Sequence, residues 1–439
     1  MLEPLKKELD RITEMGVIIK VEEPSDWCHP IVVALKPSGN IRLCIDLTKL
    51  NKATKRELYQ LDSTVETLAK LGDECKIMSK LDANSGYWQM ELDEESQQKC
   101  IFITLFGRFR PTRAPFGLSS MPEIFNREMD SIIEGLEGVV KSMDDFLIYG
   151  RTLNEHDERL RKFLQRMKEK GITLNREKCQ FRTDSVEFLG FSITPDGVKP
   201  FNKKLEAISE FPSPTNITEL RRFLGMAQQM SRFCPKLSEK ADPLRELLST
   251  KNEFLWTSEH EKTFQNVKEV LLSPTTLALY DVKKRTKVRT DGSKLKGISV
   301  IVYQEDNNGQ WKPVDCASRF LSPAERNYYP IELEMLASTW GIRRMNMYLQ
   351  GLRHFELETD HKPLIPIMNS KLICDLSPRL QYLRMKLLKY NFTASHVPGK
   401  DLDGADAFSR APTSMPTEED YEMEKEMLLC QCNNEQFTS

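Results

Sequence analysis

Two adjacent aspartates, Asp144 and Asp145, interrupt an apolar stretch, with Val139 and Val140 before them and Phe146 to Tyr149 after. Apolar runs this short, split by turn-prone residues, predict two strands joined by a tight reversal. Aspartate is common in turns because its side chain bonds its own backbone, so the pair by itself reads as a hairpin tip. It acquires a second meaning only if further carboxylates reach the same place. In "IMSKLDANSGYWQMELD" an apolar-polar alternation carries Asp82 to the end of a strand, and Asn84, Ser85 and Gly86 turn the chain. Three carboxylates on strand ends of one sheet are the hard oxygen ligands that Mg²⁺ ions take while leaving room for water and phosphate. On spacing alone, three unrelated turn aspartates remain the rival reading.

With 439 residues the chain is long enough for two to four domains, and 39% hydrophobic with 29% charged residues describes a soluble globular protein. No apolar run approaches the roughly 18 residues that a bilayer crossing needs. The N-terminus "MLEPLKKELDRI" is charged where a signal peptide would be greasy, so an intracellular protein that is not secreted is expected. The ten cysteines are scattered singly apart from a C-x-C near the end, which fits reduced thiols and neither a disulfide framework nor a zinc site. The net charge of −2 decides nothing, because the acidic "TEEDYEMEKE" offsets "LTKLNKATKRE", "RFRPTR" and "ERLRKFLQRMKEKG". Each basic run, standing alone, reads as a solvated helix face.

Leu5, Leu9, Ile12 and Met15 recur at helical spacing before Gly16, predicting an opening amphipathic helix and its C-cap. Strands are expected at "HPIVVAL" and "NIRLCIDL" around a "KPSG" turn, a helix through Leu160, Phe163, Leu164 and Met167 up to Gly171, and strands again in "VEFLGFSIT" before a "PDG" turn. From about Asn202 the texture is helical, with Leu220, Phe223, Leu224, Ala227 and Met230 on one face and a further helix at "SEHEKTFQNVKEVLL". A mixed α/β module is expected from near Lys287 to about Pro412, with a long helix through "IELEMLASTWGIRRMNMYL". The acidic remainder has little apolar pattern and is expected to be a disordered tail or linker.

At this point the ordered motifs carry a resemblance. "KLDANSGYWQM", "TRAPFGLSSMPEIF", "MDDFLIYG" and "VEFLGFSITPDGVKP", preceded by "WCHPIVVALKPSGNIRLCIDLTKLN", resemble the reverse transcriptase of gypsy-type LTR retrotransposons and, more distantly, of retroviruses. The resemblance covers nearly the whole chain and implies an α+β and α/β multidomain fold. A fingers-palm-thumb polymerase would be followed by a ribonuclease H-like mixed-sheet domain. Fingers and palm would occupy 1–200, a helical thumb or connection 201–284, the ribonuclease H-like domain 285–411 and the acidic tail 412–439. It further implies that Asp82, Asp144 and Asp145 hold two Mg²⁺, with Mn²⁺ a substitute. Lys36 and Arg42 would meet the dNTP triphosphate, a suitable task for a flexible ammonium and a forked guanidinium. Tyr87 would lie beneath the nucleotide sugar, Phe116 would pack near the same pocket, and Phe188, Leu189 and Gly190 would help hold the primer end.

In the C-terminal module four acids stand out: Asp291 at a strand end, Glu334 on a helix, Asp360 at another strand end and Asp406 near a helix start. Carboxylates gathered from distant segments repel one another unless cations bind among them. The resemblance maps all four onto the two-metal site of ribonuclease H, which cleaves the RNA strand of RNA:DNA hybrids. Glu332 rivals Glu334 within "IELE", and Glu334 is chosen because the following "MLA" matches the family's helix. His361 and His396 are read as structural or exposed and not as catalytic bases. Cys430 and Cys432 are not expected to bind metal.

The expected partners are thus an RNA template, a DNA primer, the hybrid and dNTPs, with no membrane. The expected setting is a longer Pol polyprotein between protease and integrase, in a cytoplasmic virus-like particle and in the nucleus. The sequence also departs from the family. Ser142 stands where a ring is usual, Lys141 lies in a strand that is normally apolar, Pro111 and Ala114 replace bulkier residues, and Met121 replaces Ala. These departures spare every metal ligand. They also motivate a rival reading, a catalytically decayed or domesticated remnant that binds nucleic acid and retains only ribonuclease H activity.

Overall fold

The structure, a computed structural model, describes residues 2–35, 41–72, 74–234, 237–248, 254–294, 297–399 and 414–436. The chain divides into two compact units, Met1–Thr67 with Glu74–Phe188 and Leu68–Asp73 with Leu189–Ser439.

The first unit opens with the helix Leu2–Glu14, which buries Leu5, Leu9 and Ile12 and gives way to Gly16 at φ 69°. Met15, 52% exposed, lies off the buried stripe. Among the described residues ten strands belong to this unit: β1 Ile18–Val21, β2 Ile31–Leu35, β3 Ile41–Ile45, β4 Ile77–Asp82, β5 Phe102–Thr104, β6 Gly107–Pro111, β7 Val139–Ser142, β8 Asp145–Gly150, β9 Gln180–Thr183 and β10 Val186–Phe188. β2 and β3 form an antiparallel pair, as expected, and β1, β6 and β5 form a small sheet. These share a core of Leu9, Ile12, Ile18, Ile45, Phe102 and Phe109.

The sheet that matters for function has the order β7-β8-β4-β9, antiparallel throughout. Its apolar residues Leu81, Phe146 and Ile148 share a core with Phe125 and Met129 of the helix Met121–Ile133 and with Phe163 and Met167 of the helix Leu153–Glu169. Thr152 caps the latter by accepting from the Glu155 N–H, and Gly171 at φ 70° lies just past its end.

Strands form within Val186–Thr194, as expected, and two of them share the stretch. Leu189 at φ 56° and Gly190 at φ 73° leave the extended region, so β10 ends at Phe188 and β11 Phe191–Thr194 starts afresh. In the second unit β11 pairs with β12 Gly197–Pro200. Val198 exchanges backbone hydrogen bonds of 2.8 and 3.0 Å with Leu277, which ties this hairpin to the rest of the second unit. The helices Asn202–Ser209, Ile217–Gln229 and Ser258–Leu272 pack through the rings of Phe211, Phe223 and Phe264.

A mixed five-stranded sheet completes the second unit, from β13 Thr286–Gly292, β14 Gly297–Glu305, β15 Trp311–Phe320, β16 Phe355–Thr359 and β17 Phe392–His396 in the order β15-β14-β13-β16-β17. β13, β14 and β15 are antiparallel neighbours, while β16 runs parallel to β13 and β17. The helix Pro330–Arg344 lies against this sheet, and a Cβ at Gly341 would stand 2.8 Å from Val300 Cβ, so the close approach requires glycine.

The tail is a correction. Glu418–Gln436 is helical, and Met423 and Met427 are buried in the same core as Leu336 and Leu383. Ser414 also bonds the backbone of β15, donating to Ser318 O and accepting from Phe320 N. An acidic segment whose described core contacts rest on two apolar residues one helical turn apart carries little periodic signal. Docking on a preformed surface supplies the order that composition does not. Among the described residues no helix is long and apolar enough to cross a membrane.

Candidate active sites

β4 and β8 pair so that Asp82 faces Asp145, and Ser142 at the end of β7 faces Asp145 from the other side. Met143 and Asp144 therefore make the turn, with Met143 at φ 51°. Asp144 is held through its backbone, its carbonyl accepting from Ala83 N at 2.8 Å. The pair does form a hairpin tip, and the tip lands beside the end of β4, which brings Asp144 and Asp145 near Asp82. Burial, then Asp82, then Asp145 raise the Asp144 carboxyl above its usual range.

Cations answer the other two acids. Lys178 Nζ lies 3.0 and 2.9 Å from the two oxygens of Asp82, and Lys80 Nζ lies 3.1 Å from Asp145.

The second group is assembled from distant segments. Asp291 is near the end of β13, Asp360 follows β16, which is parallel to β13, and Glu334 comes from the helix packed on the sheet. Their oxygens lie within 4.8 Å of one another, and this is the one such set of three among the described residues. Glu334 Oε1 accepts from Gly292 N at 3.2 Å, whereas its buried Oε2 has no hydrogen-bond partner. Burial, then Asp291, then Asp360 push the Glu334 carboxyl well above its ordinary range. An unpartnered buried carboxylate oxygen facing two more carboxylates is a donor set that suits a hard divalent cation.

Glu332 turns elsewhere, accepting from Tyr329 N at 3.0 Å and from Arg379 at 2.6 Å. Asp406 lies outside the described residues, as do Lys36 and the side chains of Cys430 and Cys432. His361 is half-buried, and burial lowers its pKa against the opposing pull of Asp360.

A family model described as "Reverse transcriptase (RNA-dependent DNA polymerase)" matches residues 34–193, and one described as "RNase H-like domain found in reverse transcriptase" matches 256–357. The chain thus carries a reverse transcriptase domain followed by an RNase H-like domain. It is 32% identical over 94% of its length to the retrovirus-related Pol polyprotein from transposon opus of Drosophila melanogaster, covering 42% of that protein. It is 33% identical over 89% of its length to the corresponding polyprotein from transposon 412 of the same organism, covering 32% of it. The Tf2-3 polyprotein of Schizosaccharomyces pombe is 29% identical over 93% of this chain, which covers 30% of the polyprotein. The chain thus spans less than half the length of these relatives. Among solved structures, the foamy viral protease-reverse transcriptase in complex with dsDNA shares the fold, with a TM-score of 0.78 and 24% identity over 90% of this chain and 82% of that one.

In the first unit Tyr87 stands 5.4 Å, ring to ring, from both Phe116 and Phe125, and the Arg42 guanidinium lies 5.6 Å from the Phe116 ring centre. Burial, with Asp144 adding to it, raises the Tyr87 phenol. Arg42, Phe116 and Tyr87 thus form one line of contacts, and the charge of Asp144 reaches Tyr87 at its end. Phe188 is fully buried and offers no side-chain surface to a ligand.

Sequence reasoning missed two groups. Gly86 is close to Asp144, and Lys178, ninety-six positions from Asp82, had no local signal. A third array has the order of a nucleophilic triad, with Ser79 Oγ 2.9 Å from His156 Nε2 and His156 Nδ1 3.1 Å from Asp157. Ser79 and His156 are both 0% exposed, so no substrate can reach the hydroxyl, and the array ties β4 to the 153–169 helix.

Proposed function

We propose that the chain is an RNA-directed DNA polymerase, extending a DNA primer on an RNA or DNA template, joined to a ribonuclease that cleaves the RNA strand of RNA:DNA hybrids. The observation that carries this reading is the pair of carboxylate groups, one in each unit, in which Asp144 and Glu334 are held toward their protonated forms by burial and by neighbouring acids. Such groups are costly to fold around and gain their use when divalent cations bind. Asp82, Asp144 and Asp145 would hold Mg²⁺ in the first site, and Asp291, Glu334 and Asp360, with Asp406, in the second, Mn²⁺ being a substitute. The bound ions would supply Lewis-acid activation of the attacking oxygen and neutralise charge on the phosphate.

The side chains present do the rest. Arg42 offers a forked donor to triphosphate oxygens, and its place beside Phe116 limits its freedom. Tyr87, wedged between Phe116 and Phe125, presents a fixed wall against which a nucleotide sugar with a 2′-hydroxyl would clash. Lys178 and Lys80 neutralise the first site before any cation arrives. In the second site the Gly292 N–H orients Glu334 toward Asp291 and Asp360. The relatives are retrovirus-related Pol polyproteins from transposons, which supports reading this activity as serving retrotransposon replication, in a longer polyprotein flanked by protease and integrase.

The test is extension of a labelled DNA primer on a heteropolymeric RNA template with dNTPs and Mg²⁺, beside cleavage of a labelled RNA:DNA hybrid. Activity in both assays is expected. One observation favours a narrower reading: only the second group brings three carboxylate oxygens within 4.8 Å among the described residues. Hybrid cleavage without extension would select that reading, a ribonuclease joined to a nucleic-acid-binding first unit.

A further inference from the structure

Lys141 lies in β7, three residues before Asp144, with its side chain only 7% exposed. A lysine at such a position is costly to bury unless its charge is answered. Its Nζ donates to Asn126 Oδ1 at 2.7 Å and lies 3.3 Å from Asp130 Oδ1. Asn126 and Asp130 are one turn apart on the 121–133 helix, so one face of that helix receives the ammonium. The chain of contacts continues in both directions. The Tyr59 hydroxyl donates to Asp130 Oδ2 at 2.8 Å, and Asn126 Nδ2 donates to Pro122 O at 2.9 Å and to Met143 Sδ at 3.0 Å.

Met143 is the residue that needs holding. It occupies the left-handed region at φ 51° without being glycine, a conformation that persists where the surroundings over-determine it. A recess of about 40 Å³ opens beside Ser142 and Met143, lined also by Gln60, Asp62 and Thr67. The side-chain contact to Met143 comes from Asn126, which Lys141 orients. Asp144 is the next residue, so whatever fixes Met143 fixes where that carboxylate points.

We propose that Lys141 is a positioning residue for the aspartate turn, acting with Asn126 and Asp130 to hold Met143 and thereby to aim Asp144. The proposal rests on the reading of Asp144 as a polymerase carboxylate. It makes the buried charge a working part of the site and not a tolerated irregularity of β7.

Two measurements on the full chain test it: hydrogen exchange of the segment Val139–Gly150, and steady-state primer extension with hybrid cleavage as the internal control. K141M, which keeps the length and removes the charge, is expected to speed exchange at Met143 and Asp144 and to lower kcat about a hundredfold, the effect of a roughly 1 Å misplacement, with KM for dNTP and hybrid cleavage retained. K141R is expected to restore slow exchange and most of kcat. D130N, which changes no volume, is expected to move both readouts in the direction of K141M and decides the matter should K141M fail to fold. Unchanged exchange at the turn in folded K141M and D130N overturns the proposal, as does loosened exchange with kcat intact. If the unmutated protein extends no primer, the polymerase reading fails, while the exchange comparison still decides whether Lys141 fixes the turn.

Discussion

Gly86 lies against Asp144: a Cβ at residue 86 would stand 2.6 Å from Asp144 Oδ1 and 2.9 Å from Phe125 Cζ. Ser85, at φ 51°, turns the chain out of β4 so that residue 86 arrives there. The glycine therefore serves close approach, leaving the carboxylate where the turn delivers it.

G86A should accordingly displace the Asp144 carboxylate. A shift of about 1 Å in a reacting group is enough for a loss of roughly a hundredfold in extension rate. Hybrid cleavage should be unchanged, and steady-state assays of both activities on one preparation check this.

The two carboxylate groups belong to different compact units, so their activities should be separable. D144N is expected to reduce primer extension to background and leave hybrid cleavage, and E334Q to do the reverse. Loss of both activities in either folded variant would contradict two independent sites.

Glu334 also predicts a pH dependence. In the unfolded chain it titrates near about 4.3, and in the folded protein burial and its acidic neighbours move it well upward. Above the unfolded value the native state binds more protons than the unfolded one, so stability falls as pH rises through the window between the two values. In a chelator, denaturant midpoints should drop across that window for the unmutated protein and less for E334Q. Mg²⁺ at a hundredfold excess over its Kd should stabilise the unmutated protein by about 2.7 kcal/mol, and E334Q less.

The C-terminal helix should be part of the second unit's stability. M427A removes a side chain that is 2% exposed and is expected to cost about 2–5 kcal/mol, measured by urea unfolding. E426A, at a half-exposed position paired with Lys386, should cost at most about 1 kcal/mol. If the two variants are equally stable, the helix is not held by its methionines.

Much of this was legible without coordinates. The period of Leu5, Leu9 and Ile12 marked the first helix, and the alternation ending at Asp82 marked β4, because one-dimensional pattern records which face is buried. Strands were legible in "VEFLGFSIT", but the backbone break between them at Leu189 and Gly190 was not, because pattern does not register φ. The tail misled, its order coming from a surface formed elsewhere in the chain.

The sequence by itself determined which residues are candidates for the chemistry: the aspartates at strand ends, the helical glutamate and the ordered motifs around them. Only the tertiary structure decided which of these meet. It set Lys178 on Asp82, Gly86 beneath Asp144 and Lys141 between Asn126 and Asp130. It also sent Glu334 to the acidic cluster while Glu332, two residues away, went to Arg379. The reason is physical. Local pattern is fixed by neighbours along the chain, whereas charge pairing and close approach depend on distances in space that the chain reaches only when its strands and helices have packed.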